Sequence, residues 1–263
     1  MIQLSVNVNK IATLRNSRGG SIPSVLQAVE ICLDAGAPGI TVHPRADERH
    51  IRRGDVTDIA AFLKARASRG RSVEFNIEGD PGGAFLEMVL RTAPDQCTLV
   101  PVRPGEVTSQ AGWPPDERSA FLGDVTRRLK SAGVRVSVFV DPDPAAVRFA
   151  AEQGADRVEL YTEPFATAFA RGSSAGDRSF ATYVAAAELA HALGMGVNAG
   201  HDLDLENLLL FRTLPHLDEV SIGHALISRA LWIGLGNVVR EYLGVLAVGT
   251  TGTTGTTGTT GPR

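Results

Sequence analysis

Eight short runs of apolar, mostly β-branched residues alternate along this chain with longer stretches of mixed polarity. Such runs are typical of strands, and the stretches between them are typical of helices. A chain built this way is expected to form a parallel sheet covered by helices. The pattern predicts strands at 2–8, 39–43, 72–77, 97–101, 135–140, 157–161, 196–199 and 219–222. It predicts helices near 22–35, 55–67, 82–92, 115–132, 143–153, 177–194, 203–213 and 225–246.

Eight strand–helix units in one domain favour a closed (β/α)8 TIM barrel over an open doubly wound sheet. Such a barrel takes about 250 residues, and the chain has 263. An open sheet usually carries a glycine-rich turn after its first strand, where this chain has residues 9–13, Asn-Lys-Ile-Ala-Thr. We expect one barrel domain at 1–247 and an unfolded Gly/Thr-rich tail at 248–263. Segments 103–114 and 163–176, the second with a possible short helix, are expected to be binding loops.

Composition and motifs limit the classes of ligand and the compartment that we expect for this protein. The net charge is −3, so nothing global attracts nucleic acid, and an anionic ligand has to be held by local positive groups. No apolar run approaches the ~18 residues that span a bilayer, and the first strand begins without a signal peptide. Cys32 and Cys97 are interpreted as small buried residues of a cytoplasmic protein. Since the histidines lack zinc-like spacing and no thiol pair exists, we expect no metal. A P-loop and a nucleophile elbow are missing as well.

Histidine recurs just past the apolar end of three predicted strands, as His43, His201 and His224. The carboxyl ends of barrel strands meet at one rim, where the active sites of TIM barrels lie. Histidine also exchanges protons near neutral pH. A water-facing strand terminus explains any one of these residues, but three equivalent positions indicate one catalytic mouth.

Two glutamates lie inside predicted strands, Glu74 and Glu159. Alternate strand residues face the lumen of a barrel, where burial raises the pKa of a carboxyl group. A raised pKa suits a general base near neutral pH. A structural ion pair with a neighbouring arginine or lysine explains each glutamate equally well.

Positive groups near the expected mouth suggest that the ligand carries phosphate. Lys10 and Arg18 follow the first strand, and Arg45 follows the second. Gly223-His224 joins the last strand to a helix, and backbone N–H groups at such a helix start bind anions. The alternative is a tight turn that needs glycine. Lys10 could also form a Schiff base with a carbonyl substrate.

Four blocks of the sequence specifically resemble blocks of a known protein family. They are Val6–Asn16 (VNVNKIATLRN), Gly39–Ile51 (GITVHPRADERHI), Val197–His201 (VNAGH) and Ile222–Ala225 (IGHA). These blocks closely resemble the pyridoxine 5′-phosphate synthase family of vitamin B6 synthesis. The resemblance runs from the first strand to about residue 245 and leaves out only the tail.

The resemblance implies an octameric enzyme, a tetramer of dimers, that needs no metal or organic cofactor. It would condense 3-amino-2-oxopropyl phosphate with 1-deoxy-D-xylulose 5-phosphate to give pyridoxine 5′-phosphate, phosphate and water. By the same resemblance His43 and Glu74 would accept protons, His201 would donate one, and Glu159 would stabilise a transition state. The implied substrate contacts are Asn7, Arg18, Asp202, Gly223 and His224 for the amino-ketone phosphate, and Lys10, Arg45, His50 and Thr108 for the sugar phosphate.

The chain departs from the family pattern at several of these positions. Asn9-Lys10 stands where many members have Asp-His, and Asp202 where glycine is common. Tyr161 and Glu163 replace a histidine and a glycine. We expect these changes to tune the site. Two other functions stay open: an aldolase or isomerase that uses Lys10 as a Schiff base, and a non-catalytic barrel that binds a phosphorylated metabolite.

Overall fold

Eight parallel strands close into a barrel in a computed structural model that describes residues 1–68, 70, 72–101, 111–115 and 119–247. Each strand pairs with its neighbours in the sequence, and the first pairs with the last. The predicted TIM barrel is confirmed. The strands are β1 Gln3–Asn7, β2 Gly39–Val42, β3 Glu74–Gly79, β4 Gln96–Leu99, β5 Arg135–Val140, β6 Arg157–Tyr161, β7 Gly196–Gly200 and β8 Leu217–Ile222.

The helices surround this barrel. They are α1 Asn9–Asn16, α2 Val25–Asp34, α3 Arg53–Ala67, α4 Gly83–Thr92, α5 Ser119–Ser131, α6 Pro144–Glu152, α7 Glu163–Ala170, α8 Ser173–Ala192, α9 Leu208–Phe211, α10 His224–Ile233 and α11 Leu235–Ala247.

Three features differ from the predicted helices. The segment after β1 forms α1, where no helix was predicted, and the helix predicted near 203–213 is reduced to α9. Segment 163–176 contains the expected short helix, α7, and the first turn of α8. The last predicted helix is divided into α10 and α11, because Gly234 between them has φ +84, a conformation that favours glycine. The tail, most of the loop after β4 and Thr108 lie outside the described residues.

Strand residues alternate between an apolar outer face and a polar lumen. Val136, Val138 and Val140 of β5 are fully buried on the outer side, whereas Ser137 between them lies on the opposite face. In many barrels branched apolar side chains fill the lumen. Here several lumen residues are polar and hydrogen-bond to one another, Ser5 to Thr41 (2.6 Å), Asn76 to Thr41 (3.3 Å) and Thr98 to Asn76 (3.2 Å).

Both cysteines are free and buried, which confirms their interpretation as small core residues. Burial raises the pKa of the Cys32 thiol to about 12 and also raises that of Cys97. Within the described residues, no helix is both long and apolar enough to cross a bilayer.

Candidate active site

The carboxyl end of the barrel brings a histidine and a glutamate together from neighbouring strands. His43 directly follows β2, and Glu78 is the penultimate residue of β3. His43 Nδ1 lies 3.9 Å from Glu78 Oε2, and Asn7 Nδ2 at the end of β1 donates to the same oxygen at 3.4 Å. The backbone N–H of His43 donates to Asn9 Oδ1 at 2.9 Å, which fixes the start of the loop after β2. Three strands thus contribute to this part of the mouth.

Glu74, expected to be a proton acceptor in the mouth, lies at the opposite end of the barrel. It is the first residue of β3, and each strand residue advances about 3.3 Å, so Glu78 is roughly 13 Å closer to the mouth. Glu74 forms a 2.6 Å ion pair with Arg135, the first residue of β5. Burial alone would raise the pKa of Glu74, but a hydrogen bond with Glu219 and the Arg135 charge lower it overall. The structure contradicts a place for Glu74 in the mouth and supports its alternative interpretation as an ion-pair residue.

Two buried carboxyl groups face each other inside the mouth, Glu78 and Glu159. Their side chains are almost enclosed, with Glu78 6% and Glu159 3% exposed. Burial, together with the Glu159 charge, raises the pKa of Glu78 well above its usual value. Burial raises the pKa of Glu159 to about 7, although a hydrogen bond with Thr98 opposes the rise. Near neutral pH the pair therefore retains at least one proton.

The pKa values of the mouth histidines His43 and His50 are shifted in the opposite direction. Burial, reinforced by His50 and Arg45, lowers the pKa of His43 to about 3. Burial, with the charges of Arg45 and Lys10, lowers the pKa of His50 to about 4. Both rings are therefore neutral at pH 7 and able to accept a proton. Among the described residues no group hydrogen-bonds to the buried His43 Nε2, so this atom is open to a substrate.

The positive groups divide into a cluster at the mouth and a structural pair behind it. Lys10 and Arg45 both act on the charge of His50, so these three predicted sugar-phosphate residues are close neighbours. Arg15 is buried and forms a two-pronged contact with Asp55, with Nη2 2.9 Å from Oδ2. Arg15 Nη2 also donates to the backbone oxygen of His50 at 3.1 Å. Arg15 therefore positions the His50 loop from α1.

The residues predicted to hold the amino-ketone phosphate are partly brought together. Gly223 precedes α10, and a Cβ there would lie 3.2 Å from Asn7 Cβ, which is tighter than most such contacts, so glycine suits the close approach of this helix start to β1. His224 is the first residue of α10 and is exposed. Asp202 is exposed on the loop after β7. Arg18 lies in the exposed turn after α1.

His201 follows β7 and packs against two aromatic rings. Its ring centroid lies 5.3 Å from that of Phe139 and 5.3 Å from that of Tyr161. Lys10 contributes to the pKa shift of His201, which places His201 at the same mouth as the other groups. Three of the four predicted catalytic residues, His43, Glu159 and His201, thus converge at the mouth.

Sequence reasoning missed Glu78 and the aromatic neighbours of His201. The signal for Glu78 was present, because Glu74, Asn76 and Glu78 alternate along one face of β3. The predicted strand ended at residue 77, which left Glu78 in a loop. For Phe139 and Tyr161 only their position near the strand ends hinted at a role.

Comparison with known proteins assigns the chain to a family. The sequence model described as "Pyridoxal phosphate biosynthesis protein PdxJ" matches residues 4–247. A pyridoxine 5′-phosphate synthase from Bacteroides thetaiotaomicron is 51% identical over 247 residues, which cover 94% of this chain and 100% of the relative. A relative with the same name from Leptospira biflexa is 50% identical over 256 residues, which cover 95% of this chain and 98% of the relative.

Solved structures agree on the architecture. The YdjI aldolase from Escherichia coli K12 has a TM-score of 0.58 at 10% identity, with 94% of this chain and 89% of that chain covered. The tryptophan synthase A-subunit from Pyrococcus furiosus has a TM-score of 0.56 at 15% identity, with 92% and 97% covered. At such low identity these matches concern the barrel fold alone. The full-length sequence match is what identifies the protein: the chain belongs to the PdxJ family of pyridoxal phosphate biosynthesis proteins, as a pyridoxine 5′-phosphate synthase.

Proposed function

We propose that this enzyme condenses 3-amino-2-oxopropyl phosphate with 1-deoxy-D-xylulose 5-phosphate to give pyridoxine 5′-phosphate, phosphate and water. The observation that carries the proposal is the grouping of His43, Glu78, Glu159 and His201 at one rim of a PdxJ-family barrel. Forming an imine and then an aromatic ring takes several proton transfers, and a positioned acid or base speeds each one about 10²–10⁴-fold.

The protonation states support a division of labour within this group. His43 is neutral and has an open Nε2, so it accepts a proton from the substrates. Glu78 begins protonated, so it gives a proton first and becomes an acceptor for a later step. Glu78 thereby takes the role that was expected of Glu74. Glu159, half-ionised near pH 7, stabilises positive charge that develops on the substrates, and His201 is the proton donor once it has received a proton in an earlier step.

Two phosphate groups call for two positive pockets. For the sugar phosphate we propose Arg45, His50 and Lys10, with Thr108 as a further contact. The shared influence of Arg45 and Lys10 on His50 supports this grouping. Lysine binds phosphate as a point charge, so the replacement of the family's usual Asp-His by Asn9-Lys10 is compatible with this role.

For the amino-ketone phosphate we propose the backbone N–H groups at the start of α10, at Gly223 and His224, together with Asn7. The free N–H groups of a helix start carry about half a positive charge and bind anions. Asp202 contributes its backbone, because a carboxylate aimed at an anion would repel it. Arg18 completes this site from the turn after α1.

We further propose that the enzyme is a cytoplasmic homo-octamer. The exposed end of α10 supports self-association, because Leu231 is 67% and Trp232 is 85% exposed. Large apolar side chains grouped on a surface mark a protein–protein contact.

A two-substrate assay without added metal tests the reaction. Purified protein given both phosphates should release pyridoxine 5′-phosphate and inorganic phosphate in equal amounts, whereas neither substrate alone should react. The Lys10 Schiff-base alternative predicts that borohydride traps a covalent adduct on Lys10 with a ketose phosphate. Such an adduct, without pyridoxine phosphate formation, would overturn the proposal. The non-catalytic alternative is set aside because the relatives are enzymes.

A further inference from the structure

His201 occupies an unfavourable backbone conformation that the surrounding residues hold in place. His201 has φ +85 and Asp202 has φ +56, two consecutive non-glycine residues in the left-handed region. Side chains rarely adopt this conformation, and it persists where the surroundings over-determine it. The contacts around His201 therefore identify the residues that hold its backbone in this conformation.

Thr162 and Asn207 hold the backbone on either side. The fully buried Thr162 Oγ1 lies 2.6 Å from the carbonyl oxygen of Gly200 and also contacts that of His201. Asn207 Nδ2 donates to the carbonyl oxygen of Asp202 at 3.0 Å. These contacts tie the loop after β7 to the end of β6 and to the residues before α9.

Phe139 and Tyr161 hold the imidazole ring. Their own centroids are 5.4 Å apart, and each lies 5.3 Å from the His201 ring, so the three rings form a nearly equilateral triangle. Tyr161 meets His201 edge-on, with 77° between the ring planes. Phe139 and Tyr161 are both buried, so the ring faces that contact His201 exclude water.

We propose that Phe139, Tyr161 and Thr162 form a socket whose function is to fix the orientation of the His201 imidazole and shield it from water for proton transfer. This proposal rests on the proposed function, since it assigns positioning residues to the same reaction. We call these three residues the His201 socket. They do not contact the reacting atoms and act through His201.

The charges around His201 indicate why shielding matters. Lys10 from α1 disfavours a charged His201, whereas Asp202 beside it and Glu163 at the start of α7 favour one. The pKa of His201 is nevertheless lowered, and burial is the largest cause. The two carboxylates would otherwise hold a proton on His201, so removal of the aromatic walls should let the imidazole become charged.

The experiment is a titration of His201 in the unliganded protein, followed by NMR of ¹³C-labelled histidine. The chain has six histidines, and loss of one signal in His201→Asn assigns the resonance. In Tyr161→Leu and Phe139→Leu we expect the His201 pKa to rise by about one unit toward its ordinary value of about 6.5. Tyr161→Phe keeps the ring and should keep the wild-type titration.

Phe211→Leu is the matched control, because Phe211 is equally buried in a separate aromatic cluster with Phe165 and Tyr183. It should lower stability without moving the His201 titration. An unmoved titration in both Tyr161→Leu and Phe139→Leu would show that these rings only fill space, and would overturn the socket.

Kinetics test the same claim independently. Tyr161→Leu and Thr162→Val should lower kcat about 10–100-fold, a range typical of a misplaced acid or base, with the KM of each substrate nearly unchanged. Thr162→Ser keeps the hydroxyl and should restore most of the rate. A shifted titration in a protein that makes no pyridoxine phosphate would refute the proposed function alone. An active enzyme whose titration and kcat resist these substitutions would refute the socket alone.

Discussion

The partner of a buried glutamate decides its chemistry in this barrel. Glu74 and Glu78 lie on the same face of β3, four residues apart. A hydrogen bond with Glu219 and the charge of Arg135 outweigh the effect of burial on Glu74 and lower its pKa, whereas burial and the charge of Glu159 together raise the pKa of Glu78. One strand thus carries a structural carboxylate at its amino end and a proton-bearing carboxyl at its carboxyl end.

Exchange of each glutamate for glutamine separates the two roles. We expect Glu78→Gln to lower kcat about 10²-fold or more, because glutamine neither gives nor takes the proton, while the midpoint of thermal unfolding stays close to that of the wild type. Glu74→Gln should keep most of the activity but lower the free energy of unfolding by about 1–3 kcal/mol, since Arg135 loses a charged partner. Steady-state kinetics and urea denaturation measure both effects.

Glu241→Gln provides the control, since its pair with Arg229 is exposed and should contribute only about 0–1 kcal/mol. Loss of turnover in Glu74→Gln with normal turnover in Glu78→Gln would reverse the assignment.

Glu159 should make the stability depend on pH. Its folded-state pKa is about 7, above the ordinary glutamate value of 4.5 that applies in the unfolded chain. Between pH 4.5 and pH 7 the folded state therefore binds a proton that the unfolded state has lost. Its favourable contribution is therefore complete below pH 4.5 and is lost as the pH rises through 7. Glu159→Gln is neutral throughout, so we expect it to gain stability over the wild type by roughly 1–3 kcal/mol between pH 5 and pH 8.

Urea unfolding of both proteins at the two pH values measures this difference. If the difference in unfolding free energy between the two proteins is the same at pH 5 and pH 8, the pKa of Glu159 is not raised in the folded state.

At the level of elements, the sequence predicted the number, order and type of the strands but not their exact ends. The predicted third strand stopped at residue 77, whereas β3 continues to Gly79. A glycine after a glutamate resembles a loop, and only the pairing of Gly79 with Leu99 of β4 extends the strand. Because of that small error, Glu78 was left out of the predicted site and Glu74 was expected to be the base.

Helix α1 shows a second limit of prediction from the sequence. Its sequence NKIATLRN is polar and short, which is typical of a loop, yet Ala12 and Arg15 are buried in it. The helix depends on tertiary contacts, above all the two-pronged pair of Arg15 with Asp55 at the start of α3. Local sequence patterns do not contain such contacts, since the partner lies far along the chain.

The contact between α1 and the loop after β2 leads to a prediction for sugar-phosphate binding. In Arg15→Lys the fork to Asp55 becomes a single contact and the donor to the His50 oxygen is lost. We expect the KM for deoxyxylulose phosphate to rise about tenfold, equivalent to about 1.4 kcal/mol, with kcat within about twofold of wild type.

Arg66→Lys is the control for an arginine-to-lysine change, because Arg66 pairs with the exposed Asp34 through a single 2.9 Å contact away from the mouth. Equal KM values for Arg15→Lys and wild type would remove Arg15 from substrate positioning.

For the whole molecule, the unpaired apolar end of α10 suggests how subunits assemble. Leu226, Ile227 and Val238 in this last helical segment are buried against the barrel, whereas Leu231 and Trp232 are exposed. We expect the exposed pair to lie in a subunit interface.

The variant Trp232→Glu tests whether the exposed end of α10 takes part in subunit assembly. A charge in a buried subunit contact is strongly unfavourable, so we expect this variant to sediment as a species smaller than the wild-type assembly, with its secondary structure intact. Leu209→Glu, a change at another exposed leucine on α9, should leave the sedimentation coefficient unchanged. A wild-type sedimentation coefficient in Trp232→Glu would exclude this end of α10 from an interface.

The pairing of β1 with β8 has a consequence for the way the protein is made. While the ribosome is still synthesising the chain, β1 has emerged long before its partner, which ends at Ile222. The lumen carboxyl groups and the mouth histidines stay in water until that late strand arrives, and contacts between such distant segments form slowly. We therefore expect a product truncated before β8 to lack the reactive centre, even though it retains most of the barrel residues.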